Sequence, residues 1–206
     1  MAFDPFHSAR LTYRAMEDAD DDNTFLHSVQ LDIEALSVNT RNLLAPQNKV
    51  QSKKLGEFLR DGCLLGVIIC LNPGTDLNTT AEAVPIGFIC LKLSEGKSSH
   101  SRASSIGLSI VRQYQNRGYG SEAIRWILGY GFEMAGLHRV GIEAFGFNAR
   151  ALHLYEKLGF VVEGRRREEV WFRGKWHDFV EFGMLESEWR KRQEEEGKSW
   201  IDDTAA

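Results

Sequence analysis

Two glycines close the stretch Gln115-Asn116-Arg117-Gly118-Tyr119-Gly120, and two arginines, Arg112 and Arg117, precede them. A loop of this kind can hold an anion if a helix starts at its end. The first amides of a helix have no partner inside it, and the helix dipole adds partial positive charge there. Glycine lets a phosphate come close to the backbone. The flanking residues predict the elements such a site needs. Ile106, Leu108 and Ile110 alternate with Gly107, Ser109 and Val111, the period of two of a strand. Ile124, Ile127, Leu128, Phe132 and Ala135 then recur at three and four residues. That period predicts a helix from about Gly120 to Ala135, stopped by Gly136.

Three phosphate-binding patterns compete for this loop. A Walker A loop is excluded, because no lysine follows either glycine. Gly118-Tyr119-Gly120-Ser121-Glu122-Ala123 does fit the dinucleotide fingerprint, with Glu143 as the acid that would bind a ribose. Against that reading, Arg112 to Arg117 is too long for the tight dinucleotide turn, and too little chain follows Glu143 for a doubly wound domain. The third pattern adds a second motif downstream, Asn148-Ala149-Arg150-Ala151-Leu152-x-Leu154-Tyr155-Glu156-Lys157-Leu158-Gly159-Phe160. Gln115-x-x-Gly118-x-Gly120 followed by this segment resembles the GNAT superfamily of acetyl-CoA-dependent N-acetyltransferases. The later residues Glu163-Gly164-Arg165, Gly174, Asp178 and Glu188-Trp189 are similar to the branch that contains the ribosomal-protein alanine and serine N-acetyltransferases.

The resemblance runs from about Ser8 to Trp189 and implies an α+β fold, an α/β/α sandwich. Its mixed sheet of about seven strands splays open after Val111 and is flanked by about four helices. In such a fold the pantetheine arm of acetyl-CoA lies in the split and pairs with a strand edge, as an added strand would. Carried over, Leu108, Ser109 and Ile110 supply that edge, and Gln115, Asn116, Arg117, Gly118, Tyr119, Gly120 and Ser121 cradle the pyrophosphate. Asn148 matches the asparagine that contacts pantetheine. Arg112 departs from the family, standing where relatives often carry proline.

Acetyl transfer to an amine sets definite demands. A lysine-type amine of pKa ~10.4 is almost wholly protonated at neutral pH, so a base must help to remove its proton. The thioester oxyanion wants preorganised N–H groups, here around Ile110, and the departing thiolate wants an acid. The resemblance implies Glu143 as base and Tyr155 as acid. The residues alone leave other readings open: Glu143 as a solvated strand residue, Tyr155 as a core aromatic, and His100, His138, His153 and His177 as spare bases. Arg165-Arg166-Arg167 and Glu168-Glu169 either line an acceptor mouth or form a wet face. The acceptor stays open among a peptide N-terminus, a polyamine, an amino acid and a small xenobiotic amine. A non-catalytic acyl-CoA-binding module and a dinucleotide-dependent enzyme are the readings from other classes.

Composition bounds the rest. A chain of 206 residues with 43% hydrophobic content suits one domain, expected over residues 1–189, with a charged tail over 190–206. A net charge of -4 gives no reason to expect nucleic acid. The apolar run Cys63 to Leu71 is too short for a membrane span, and Met1-Ala2-Phe3-Asp4 is not a leader, so a cytoplasmic location is expected. Cys63, Cys70 and Cys90 fall in apolar runs without zinc spacing, so buried thiols and no metal are expected. Monomer and homodimer are both open. The acidic cluster Glu17 to Asp22 predicts a helix start before Phe25, Leu26, Val29 and Ile33. Further elements are expected as a first strand from Ser8 to Tyr13, a helix over Lys49 to Leu59, strands over Cys63 to Leu71 and Ile86 to Leu93, a turn at Glu95 to Ser99, a strand from His138 to Phe145, and a long hairpin around Arg173-Gly174-Lys175. The charged tail carries so little apolar surface that removing Gly197 to Ala206 is expected to leave stability unchanged.

Overall fold

The strand periods build a single sheet. The computed structural model describes residues 4–75, 77–93, 100–197 and 200, so the turn expected at Glu95 to Ser99 lies outside the described residues. In chain order the elements are β1 (Leu11–Ala15), α1 (Asp20–Leu31), α2 (Ile33–Ser37), α3 (Lys49–Asp61), β2 (Cys63–Leu71) and β3 (Val84–Lys92). Then follow β4 (Ala103–Ile110), α4 (Tyr119–Gly129), β5 (Arg139–Phe145), α5 (Ala149–Leu158), β6 (Val161–Phe172), β7 (Lys175–Leu185) and α6 (Glu186–Glu196). The sheet has seven strands in the order β1-β2-β3-β4-β5-β7-β6. This is the mixed α+β sheet that the sequence led us to expect, with more helices than the expected four or so among the described residues. No helix among them is long and apolar enough to cross a membrane.

One junction matters for function. Every strand pair is antiparallel except β4 with β5, which pair in parallel through Ala103↔Arg139, Ser104↔Val140 and Ser105↔Gly141 and no further. Beyond Ser105 and Gly141 the two strands part. Each stays bound to its other neighbour, β4 to β3 as far as Ile110 and β5 to β7 as far as Phe145. The gap therefore has two firm walls.

Helices cover both faces. On one face Ile124, Ile127 and Leu128 of α4 and Tyr155 and Leu158 of α5 pack onto inward residues of the sheet such as Ile89, Ile106, Val140 and Ile142. On the other, Leu26 of α1 and Leu59 of α3 close over Ile68, Cys70 and Cys90. Truncating a fully buried Leu59 there would cost about 2–5 kcal/mol. Asp22, 4% exposed, receives both Arg14 nitrogens at 2.9 and 2.5 Å and the Glu17 N–H at 2.9 Å. The Arg14 guanidinium holds its carboxyl below the usual range. The acidic cluster is thus an anchor for the start of α1.

Local sequence accounts for the extra helices. The run from Phe25 to Ile33 is interrupted because the Asp32 side chain accepts the Glu34 and Ala35 N–H groups, each at 3.1 Å, and so caps a new short helix, α2. The central helix also differs from expectation. Regular α geometry ends at Gly129, and Tyr130–Met134 form a π turn in which the Ala135 N–H reaches back to the Tyr130 carbonyl at 2.9 Å. Gly136, at φ +62°, then stops it as expected.

The expectation for the tail is overturned. Trp200 is 4% exposed and belongs to the main core, seated on Gly129 so closely that any side chain there would overlap its indole. Charge counting missed a single large aromatic, whose burial outweighs the polar residues around it. Trp200→Ala is expected to cost about 3–5 kcal/mol, lowering Tm by roughly 6–20 °C in a scanning calorimeter. An unchanged Tm would mean that this docking contributes nothing to stability.

Candidate active site

The glycine loop does form a helix N-terminus aimed into the split. Asn116 at φ +61° and Gly118 at φ +87° both adopt left-handed backbone, which turns the chain sharply from β4 into α4. Gly118 caps α4 without a side chain. The Glu122 N–H is taken by the Gly118 carbonyl at 3.0 Å, so the Tyr119, Gly120 and Ser121 amides are the ones without a partner in the helix. Gly120 and Ser121 border a cleft of about 530 Å³ also lined by Leu108, Ser109, Ile110, Gln115, Asn116, Gly118, Asn148, Arg150, His153 and Tyr155.

Two residues of the motif have other work. Tyr119 is 4% exposed, with the Arg10 guanidinium 4.5 Å above its ring. Arg117 does not line the cleft; its carbonyl accepts Arg10 Nη1 at 3.1 Å. Arg10 also removes a conflict. Glu122 in the first turn would oppose an incoming anion, but the Arg10 N–H, Nε and Nη2 and the Ser8 hydroxyl all donate to it at 2.8 Å. Its charge is thus drawn toward β1. Arg112, at the position often held by proline, pairs with Glu34 at 2.9 Å outside this cleft.

Strand alternation sorts the β4 edge. The Val111 N–H donates to the Ile86 carbonyl at 2.8 Å, and Gly87 has no side chain because the Ser109 carbonyl occupies the space. Ser109 and Val111 therefore turn their backbone toward β3, which leaves Leu108 and Ile110 facing the split. This corrects the expectation that Ser109 offers backbone groups there. Its hydroxyl instead accepts Asn39 Nδ2 at 3.3 Å. Gln115 Nε2 donates to the Ile110 carbonyl at 2.8 Å, tying the loop to the strand end. The Leu108 N–H and C=O and the Ile110 N–H remain on the open edge.

Asn148 positions the acid candidate. Its Oδ1 accepts the Ala151 N–H at 3.2 Å and caps α5, and the residue lines the cleft. Two turns later α5 presents Tyr155, 9% exposed and edge-on to Phe182 with ring centres 5.6 Å apart. Burial raises its hydroxyl to a pKa of about 12, against which Arg150 pulls more weakly. It is a proton donor throughout the neutral range.

A second cleft, of about 360 Å³, opens on the other side of the split. Glu143 lines it, between the buried Ile142 and Ala144, together with Phe145, Phe179, Arg41, Phe58, Phe88 and Lys92. Glu143 sits opposite Glu181, whose charge is met by Arg166 at 2.6 Å. Arg166 also bonds Glu169 at 3.1 Å, and Glu169 bonds Arg41 at 2.7 Å, so part of the Arg-Glu run on the hairpin does reach this mouth. Val38, Asn39, Leu108 and Tyr155 line both clefts. The four histidines take no place in the second cleft. His153 borders the first, and His177 packs against Phe147 and Phe172.

Some site residues escaped sequence reasoning. Arg150 donates to Asn116 Oδ1 at 3.1 Å and lies inside the second motif, where the motif itself could have flagged it. Val38, Asn39 and Arg41 sit on an aperiodic connection after α2, which carries no such signal.

Comparison with known proteins identifies the family and the fold. A family model described as an acetyltransferase (GNAT) domain matches residues 10–161. Spermidine N(1)-acetyltransferase of Vibrio cholerae is 31% identical over 93 residues, 45% of this chain and 54% of that protein. The putative ribosomal N-acetyltransferase YdaF of Bacillus subtilis is 33% identical over 89 residues, 43% of this chain and 49% of that protein. The chain thus spans about half the length of these curated relatives. Among solved structures, a GNAT-family acetyltransferase from Bacillus anthracis superposes with a TM-score of 0.70 at 21% identity, covering 88% of this chain and 98% of that one. The Vibrio cholerae spermidine N-acetyltransferase in complex with CoA and spermine gives 0.71 at 23% identity, covering 88% and 99%.

Proposed function

Because the chain belongs to the GNAT acetyltransferase family, we propose that it moves the acetyl group of acetyl-CoA directly to a primary amine, both substrates being bound together. The observation that carries this reading is the position of Tyr155, which lines the cofactor cleft and the acceptor cleft at once. In this reading residues 1–189 form the acetyltransferase domain, and α6 with Trp200 completes its core. The cofactor brings an activated thioester; the chain's residues do the rest. The free amides at the start of α4 hold the pyrophosphate, and the Leu108 edge holds the pantetheine with the Asn148 amide opposite. The Ile110 N–H faces the oxyanion as the amine nitrogen bonds to the acetyl carbon. Before that attack Glu143 takes the acceptor's ammonium proton, directly or through water, and passes it to solvent; as the C–S bond breaks, Tyr155 gives its proton to the departing sulfur, and the second proton lost by the acylated nitrogen restores it. No nucleophilic cysteine or serine is required.

Mixing protein, acetyl-CoA and a panel of amines while following free thiol tests the proposal. Amine-dependent thiol release is expected. No release with any amine, or tighter binding of reduced nicotinamide cofactor than of CoA, would overturn it. A second measurement isolates the base. Glu143→Gln should lower activity most at neutral pH, with the deficit shrinking as pH approaches the acceptor's own pKa, because the amine then arrives already neutral. Equal losses at every pH would give Glu143 a binding role instead.

A further inference from the structure

The charges of the acceptor cleft are unequal and ordered. Among the described residues that line it, Glu143 is the one carboxylate, and Arg41 and Lys92 are the cations. Arg41 is committed, ion-paired to Glu169 at 2.7 Å and lying 4.5 Å above the Phe179 ring. Lys92 is partly buried, and among the described residues no carboxylate pairs with it. Its register directs it inward. Lys92 is opposite Ser105 on β4, which is opposite Gly141 on β5, two residues from Glu143. Its Cε lies 3.2 Å from where a Cβ on Gly107 would stand, so the stem crosses β4 through the space that this glycine leaves open. An ammonium and a carboxylate thus face one small cleft whose remaining walls include Phe58, Phe88 and Phe145.

From this arrangement we infer that the acceptor is a free amino acid with an apolar side chain, or an analogue that keeps an anion one carbon from the amine, and that Lys92 is the residue that selects it. The inference rests on the transfer reaction proposed above. The acceptor's ammonium lies at Glu143, its carboxylate at Lys92, and its side chain against the aromatic walls. A polyamine would bring further ammonium groups to Lys92 and Arg41, while Glu169 and Glu181 beside the cleft are already held by Arg41 and Arg166, so the contact is one of like charges in a half-buried site. A peptide N-terminus would offer Lys92 a neutral carbonyl in place of an anion, a weaker partner.

Steady-state rates with L-phenylalanine, L-phenylalaninamide, a phenylalanine-initiated tripeptide and spermidine test the inference on the unmodified protein. The free acid is expected to exceed the amide, the tripeptide and spermidine in kcat/KM by about 10-fold or more. Lys92→Met should remove about 10- to 100-fold from the free acid while changing the amide less than about three-fold, and Lys92→Arg should restore much of the preference. Parity of acid and amide, or preference for spermidine or the tripeptide, overturns the inference while leaving acetyl transfer standing. A preference that survives in Lys92→Met overturns the assignment to Lys92. No acetylation of any of the four, with some other amine active, refutes the acceptor class; no acetylation of any amine at all refutes the underlying reaction.

Discussion

Tyr155→Phe is expected to lower kcat by about 10²- to 10⁴-fold while leaving CoA affinity within about two-fold of the starting protein. The substitution removes one oxygen. The ring's contacts with Phe182 and Phe160 are retained, so the core on that side of α5 keeps its packing. The missing hydroxyl belongs to a residue that lines both clefts, and its pKa of about 12 keeps its proton available at any pH where the protein would work. A thiolate leaving without a proton donor carries full negative charge into a largely buried site, a cost of about 3–5 kcal/mol on the barrier for the expected rate loss. Single-turnover rates with saturating acetyl-CoA, beside calorimetric CoA binding, separate chemistry from affinity. Turnover at the starting level would return Tyr155 to the role of a core aromatic and move the search for the acid to His153, which also lines the cofactor cleft, or to solvent.

The fold was legible where side-chain period and turn chemistry agree. Gly136 sits at positive φ at the helix end that the sequence placed there, and Gly118, also at positive φ, caps the same helix two residues before the start expected at about Gly120. The run Cys63 to Leu71 became the strand expected of it, because its apolar residues find cover on both faces. What stayed hidden depends on partners distant in sequence. Nothing near Glu122 announces that Arg10 and Ser8 will draw its carboxylate away from the anion site. Nothing near Trp200 announces Gly129, since docking of one aromatic on a bare helix backbone leaves no period to read. The Ser109 backbone was assigned by motif, yet its direction follows from pairing with β3, which a motif does not encode. Lys92 escaped for a similar reason. Its significance comes from the row of strands beside it and from a glycine on the next one.

Gly120→Asp should move stability and binding in opposite directions. Gly120 is the second residue of α4, and the nearest atom to an added Cβ there is Leu108 Cδ2 at 3.8 Å, so a side chain fits without displacing anything. Gly118 would be a poorer probe. Its φ of +87° strains any side chain, and a Cβ would lie 3.2 Å from Arg10 Nη2. At position 120 an aspartate complements the helix dipole and replaces the most flexible residue, which should leave folding stability equal or higher by about 0.3–1 kcal/mol. The same carboxylate lines the cofactor cleft, a few ångströms from where a pyrophosphate must sit on the free amides. Like charges about 4–5 Å apart at an effective dielectric near 20 repel by roughly 3–4 kcal/mol, which predicts a loss of about 10²- to 10³-fold in CoA affinity. Gly120→Ala is the control: it gains the same helical rigidity, adds no charge, and should bind CoA far more tightly than the aspartate variant. Thermal melts and CoA titrations on both variants decide the matter. If Gly120→Asp melts normally and binds CoA within about three-fold of the starting protein, the pyrophosphate is not held by this helix start.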